Sequence, residues 1–268
     1  MQKFKTLLTE VPEPGLLLVT LNRPDKLNAI DTDMLVDLYD LFDMLKKSGD
    51  IRVVIITGNG RGFCAGADLL AATEHKDTQF FSDPEHFLEL VQERYAGIIE
   101  NLRYVPQPVI AAINGPAAGG GFCMALGADV RFAAPEAYFV ASFINIGLSG
   151  GELGTTYFLP RLVGLSRASE ILYTGRKVWA DEAERIGLVS AVVSRDKLLE
   201  EAISCARLML QKSVGGLKLT KIALRENVDA PSMESAINLE NRNQAILVFS
   251  KAFFSLVKSF VKKDTKGS

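Results

Sequence analysis

The sequence is poor in the residues that most often carry enzyme chemistry. It has 2 histidines and 3 cysteines in 268 residues. His75 and His86 are too few for a histidine-rich metal centre and leave few candidates for a histidine base. Cys64, Cys123 and Cys205 are odd in number, far apart and without metal-ligand spacing, so we expect no metal site and a reduced, cytoplasmic setting. The formal net charge of -2 gives no general attraction to nucleic acid. No apolar run approaches the roughly 18 residues of a membrane span. Residues 1–6 do not lead into a signal-peptide apolar core. With no suitable histidine, serine-hydrolase chemistry is set aside. Trp179 is the single tryptophan and is read as isolated.

What remains is an ordinary globular composition, 48% hydrophobic and 23% charged. The chain is organised around Pro108–Asp129. An apolar run reads as a buried strand, Asn114-Gly115-Pro116 breaks it, and Gly119, Gly120 and Gly121 precede an apolar helical segment. Glycine there removes the side chain that would keep a ligand from the free N–H groups of a helix start. A tight helix-packing turn explains the same glycines, and both readings stand on this stretch alone. Two further glycine turns, Arg61–Asp68 and Gly147–Gly154, also lie between a strand or strand-like segment and a helix.

Around these turns the pattern alternates. Leu16–Leu21, Arg52–Thr57, Val130–Ala133, Ala137–Val140 and Leu188–Val193 read as strands. Asp31 is a candidate N-cap for a helix burying Met34, Leu35, Leu38, Leu41, Phe42 and Leu45. Residues 74–85 are polar and read as a mobile surface segment, followed by a helix from about Glu85 to Leu102. From Lys197 the pattern is helical, with breaks near Val214-Gly215-Gly216 and Asp229–Pro231. An α/β core with a helical C-terminal region follows.

Several motifs in register resemble the crotonase superfamily, the enoyl-CoA hydratase/isomerase family. They are Leu21–Ala29, Gly62–Asp68, Ala112–Gly121, Leu159–Gly164, Thr174–Ala183 and Arg185–Val189. The resemblance spans essentially the whole chain. It implies a spiral of ββα units over residues 1–200, a C-terminal helical region over 201–268, and trimers or dimers of trimers. It implies an acyl-CoA thioester as ligand, with no separate cofactor because coenzyme A is part of the substrate. It also implies that the backbone N–H groups of Ala67 and Gly120 stabilise a thioester enolate. The segment holding Arg23, Lys26 and Leu27 corresponds to the border of the pantetheine and adenine, where Arg23 and Lys26 could meet phosphates. Ala65 and Asp68 border the same cleft.

The match departs where the hydratases carry two glutamates. Those positions are Cys123 and Phe143 here, so Phe143 is expected to line the substrate site without acting on protons. Cys123, in an apolar helix, is expected to have a raised pKa and to be a small core residue. One carboxylate remains, Glu152, in a turn where isomerase-type members place an acid that shuttles a proton along the acyl chain. A partly buried carboxylate with a raised pKa suits that task. The competing reading makes Glu152 an early acidic residue of a helix over Leu153–Phe158. The sequence thus points to an acyl-CoA-processing enzyme, with isomerisation favoured. Hydration with a relocated acid/base and a silent CoA-thioester binder are the alternatives.

Overall fold

The computed structural model describes residues 3–68 and 83–264. His75 and most of the polar 74–85 segment lie outside the described residues.

The first buried strand, β2 (Leu16–Leu21), is apolar almost throughout because both its faces are covered. It pairs antiparallel with β1 (Leu7–Glu13) and parallel with β3 (Val53–Gly58). Helix α1 (Thr32–Lys47) connects β2 to β3 and starts where expected: the Asp31 carboxylate accepts from Met34 N at 2.9 Å. Its apolar face, from Met34 to Leu45, is buried against the sheet.

Helix α2 then runs through three consecutive segments, Pro84–Phe87, a π-helical turn Leu88–Gln92, and Glu93–Tyr104. It leads to β4 (Val109–Ile113), which is fully buried. From here the chain alternates between two sheets. β4 and β6 (Val130–Ala133) belong to the first, while β5 (Ala117–Ala118) and β7 (Tyr138–Val140) belong to the second. Helix α3 (Gly120–Gly127) closes the β4-β5 unit. Each turn of this spiral adds one strand to each sheet, which is the expected ββα repeat. The first sheet has the order β1-β2-β3-β4-β6-β9, and the second β5-β7-β8.

Helices α4 (Thr155–Val163) and α5 (Leu165–Thr174) follow, then β8 (Val178–Trp179), α6 (Ala180–Arg185) and β9 (Ala191–Val192). The strand expected over Leu188–Val193 is thus reduced to two residues. Leu188 and Val189 are buried in helix packing instead of pairing. Trp179 is not isolated in space: its ring meets Tyr138 edge-on at 5.1 Å.

The C-terminal region is helical: α7 (Leu198–Leu210), α8 (Val214–Asn227), α9 (Met233–Val248) and α10 (Lys251–Asp264). The boundary expected at residue 200 falls inside α7. Leu198, Ala202 and Ala206 of α7 pack on Leu16, Val53 and Ile110 of the sheet, so the compact body extends through this helix. The helix break expected near Val214-Gly215-Gly216 is present between Leu210 and Val214, just before the two glycines. They lie in the first turn of α8, where the Ser213 hydroxyl accepts from Gly216 N at 3.0 Å. No helix among the described residues is long and apolar enough to cross a membrane.

Candidate active site

Because β2, β3 and β4 are parallel, the loops leaving their carboxyl ends emerge together, the usual place for a ligand in an α/β sheet. Two buried asparagines tie these loops to one another. Asn28, held at φ +56°, donates from Nδ2 to the carbonyls of Asn59 (3.0 Å), Gly62 (2.9 Å) and Phe63 (3.2 Å). Its Oδ1 accepts from Arg23 N at 2.9 Å. Asn114 accepts from Gly58 N at 3.1 Å and donates to Gly60 O and Gly62 O at 3.0 and 3.2 Å. Both lie within the motifs singled out in the sequence, yet the motifs alone assign neither a task. Their position beside a tight turn is the signal that could have marked them.

The loop after β3 forms a parallel bridge with Ile30. Ile30 N donates to Gly66 O at 2.7 Å, and Asp68 N donates to Ile30 O at 2.9 Å. This pattern uses the groups on either side of Ala67 and turns the Ala67 N–H to the opposite side. That N–H donates to nothing among the described residues. Nor does the N–H of Gly120, the first residue of α3. Glycine brings the two segments into contact. A Cβ on Gly66, which sits at φ +88°, would lie 2.9 Å from Gly120 N and 2.8 Å from Ala118 O. One on Gly121 would lie 2.1 Å from Cys64 O. Two unpartnered N–H donors on touching segments, one at a helix start, can receive an oxygen that gains negative charge.

Phe143 is buried beside this turn, with its ring 3.4 Å from the Cβ position of Gly119. Ile30 and Leu153 approach the Cβ position of Gly120 at 3.7 and 3.8 Å. Cys123 is fully buried on α3, and burial, with the charge of Glu152, pushes its thiol well up. Cys123 thus sits in the core, as the core reading expects. Its thiol donates to the backbone carbonyl of Glu152 at 3.6 Å.

Glu152 is half-buried. Its carboxylate accepts a hydrogen bond from Gln92 Nε2. The helix expected from Leu153 begins instead at Thr155, because Leu153 and Gly154 hold φ values of +45° and +85°. Among the described residues the Glu152 carboxylate has no bond to the N–H groups of α4. The sequence pattern does not point to Gln92, nor to Tyr95, whose hydroxyl donates to Ile30 O at 3.0 Å. Burial, followed by the charges of Asp31 and Asp68, pushes the Tyr95 phenol up to about 12.

The Arg23–Ala29 turn borders the other side. The Arg23 guanidinium is already held by Asp31 (3.0 Å), Asp68 (2.9 Å) and the Ala29 carbonyl. Lys26, in contrast, is exposed on a short 3-10 turn. Leu27, at φ +50°, accepts at its carbonyl from Ala65 N at 3.0 Å, so these two expected contact residues are adjacent. Backbone bonds and close contacts thus join Leu27, Ala65, Ala67 and Asp68 to the start of α3, beside which Gly120 and Phe143 lie; Glu152 adjoins α3 through Cys123, and Arg23 braces its own turn.

A sequence model described as enoyl-CoA hydratase/isomerase matches residues 12–265. The chain belongs to the enoyl-CoA hydratase/isomerase family. It is an enzyme of that family, with the crotonase fold. It is 44% identical over 248 residues to a protein of Mycobacterium leprae named "Probable enoyl-CoA hydratase echA12", covering 91% of this chain and 83% of that one. A crystal structure of a probable enoyl-CoA hydratase/isomerase from Mycobacterium abscessus superposes with a TM-score of 0.88 at 40% identity, covering 97% of this chain and 96% of that one. A monofunctional enoyl CoA isomerase from M. smegmatis is 43% identical with a TM-score of 0.74, covering 87% of this chain and 98% of that one.

Proposed function

We propose that this family member moves a double bond along the acyl chain of a coenzyme A thioester. The N–H groups of Ala67 and Gly120 receive the thioester oxygen. Glu152 removes a proton from the α- or γ-carbon, and the electron pair passes into the conjugated enolate. The protonated Glu152 then returns the proton to a different carbon, restoring the carboxylate. No water is consumed and no separate cofactor is needed, since coenzyme A arrives with the substrate.

The observation that carries this reading is the character of the residues around the turn. Glu152 is half-buried beside α3. The positions matched to the hydratase glutamates hold a buried thiol, which its environment keeps protonated, and a buried phenyl ring. A general base placed this way contributes about 10²–10⁴-fold to rate. Similarity to an enoyl CoA isomerase from M. smegmatis agrees with the reading. Lys26 is the exposed cation beside the cleft and would meet a phosphate of coenzyme A, while Arg23 braces Asp68 beneath it. Leu27, Ala65 and Phe143 line the thioester path. Helix α10 exposes Phe253, Phe254, Leu256 and Val257, which supports assembly as a homotrimer or a dimer of trimers.

The test is turnover of a panel of 2-enoyl-, 3-enoyl- and dienoyl-CoA thioesters in deuterated water, read by mass spectrometry. Isomerisation gives deuterium incorporation without the mass of water. Gain of water mass would identify a hydratase using a relocated acid/base. Binding without any turnover would identify a silent thioester binder.

A further inference from the structure

Every backbone bond around Glu152 fixes the main chain and leaves the side chain to be placed by something else. Glu152 N donates to Thr155 Oγ1 at 3.0 Å, and Glu152 O accepts from Thr155 N at 2.9 Å and from the Cys123 thiol at 3.6 Å. The carboxylate is met from the opposite side by a residue 60 positions earlier: Gln92 Nε2 donates to Oε1. We propose that Gln92 is a positioning residue that sets the orientation of the Glu152 carboxylate for proton transfer. This inference rests on the reading of Glu152 as the proton carrier.

Three features of α2 support it. Gln92 closes the π-helical turn Leu88–Gln92, which lies between two α-helical segments. A π turn inserts one residue into the helical register and so swings the side chains that follow by about 100°. Such turns are frequent at functional sites. Tyr95 lies three residues further on, on the same face of the helix, and its bond to Ile30 O anchors α2 over the Ile30–Ala67 bridge. Gln92 therefore reaches Glu152 from an anchored helix. Its amide takes one carboxylate oxygen and leaves Oε2 with no partner among the described residues. That oxygen is the one available to accept a substrate proton. A base that must collect a proton at one carbon and return it at another needs a fixed direction of approach.

The test is a double-mutant cycle read on 3-hexenoyl-CoA. Gln92→Met keeps the length of the side chain and removes the donor. The expected result is a fall in kcat of about 10–100-fold with KM within about twofold, the size of effect of losing one hydrogen bond to a charged group. In the Glu152→Gln background the same substitution should cost nothing further, because it acts through the carboxylate. A merely structural Gln92 would lower activity and melting temperature in both backgrounds alike, and that result would overturn the inference. Gln92→Leu also removes the donor without adding a charge, and reads the same loss where the methionine variant does not fold. Full activity in Gln92→Met with a dead Glu152→Gln would reject the positioning role alone. Full activity in Glu152→Gln, or wild-type enzyme that leaves 3-hexenoyl-CoA unchanged, would reject the proton-carrier reading and this inference together.

Discussion

The thiol of Cys123 donates to the backbone carbonyl of Glu152 across 3.6 Å. Cys123 thus contacts the main chain of the residue proposed to carry the proton. This relation assigns the two side chains different tasks. The thiol is a weak donor inside an apolar helix, whereas the half-buried carboxylate can move a proton. Cys123→Ala should therefore lower turnover by less than about 10-fold. Glu152→Gln should lower it by about 10²–10⁴-fold with little change in thioester affinity. Single-turnover kinetics with thermal melting as the control separates the two. A loss in Cys123→Ala equal to that in Glu152→Gln would move the proton chemistry to the thiol.

Neighbouring glycines of α3 should respond oppositely to a methyl group. On Gly120 a Cβ meets Gly66, Ile30 and Leu153 at 3.6–3.8 Å, which is ordinary contact. On Gly121 it would lie 2.1 Å from the Cys64 carbonyl. Gly120→Ala should fold normally and lose turnover, because the methyl occupies the approach to the donor. Gly121→Ala should lower the melting temperature markedly, because backbone must move. Circular dichroism melts alongside turnover of the panel give the answer. A Gly120→Ala enzyme with wild-type turnover would remove Gly120 from the oxyanion role.

The strand-turn-helix around these glycines and the Asp31 cap are legible in the sequence because their causes are local: an apolar run, a breaker and a capping carboxylate. β1 is not legible there. It carries Pro12 and charged residues at a sheet edge, and only pairing with β2 makes it a strand. Gln92 and Tyr95 escape sequence reading for another reason. Their partners Glu152 and Ile30 lie 60 and 65 residues away, and a π turn shifts the register that helical periodicity assumes. The bracing of Arg23 by Asp31 and Asp68 is equally non-local, so its charge reads as available for phosphate when it is already paired.

Acid should reveal the link between α5 and α6. Arg176 bonds Glu170 at 2.6 and 2.8 Å and Glu182 at 2.7 Å through each of two nitrogens. Its hydrogen bonds hold both carboxyls below the usual glutamate range. A carboxyl whose folded pKa is depressed adds stability that is present above the unfolded value, about 4.3. That stability is lost as pH falls through the lower folded value. Arg176→Met should therefore melt below the wild type at neutral pH, and the difference should shrink as pH drops below about 4. Melting curves across that range check the sign. A difference that grows on acidification would contradict the assignment.

Lys221 should be the residue that joins the C-terminal helices to the catalytic body. It is buried on α8, and its ammonium bonds Asp129 at 2.8 Å, Gln107 O at 2.8 Å and Leu102 O at 3.3 Å. Those partners close α2 and open α3's connection to β6, so one cation spans three parts of the chain. Burial lowers its pKa, while the Asp129 carboxylate opposes the shift. Asp129 is itself shared, with Arg103 at 3.3 Å and Val109 N at 2.8 Å. Lys221→Ala removes the charge and leaves space, so it should cost about 3–5 kcal/mol, the range for breaking a buried pair from one side. Lys221→Met also leaves Asp129 without this cation but fills the space, so it should cost less than Lys221→Ala. Urea unfolding of the three proteins measures both differences. If α8 is held by this contact, limited proteolysis of Lys221→Ala should cut between α7 and α8 while the sheet stays protected. Equal stability in all three proteins would mean that apolar packing alone holds α8 in place.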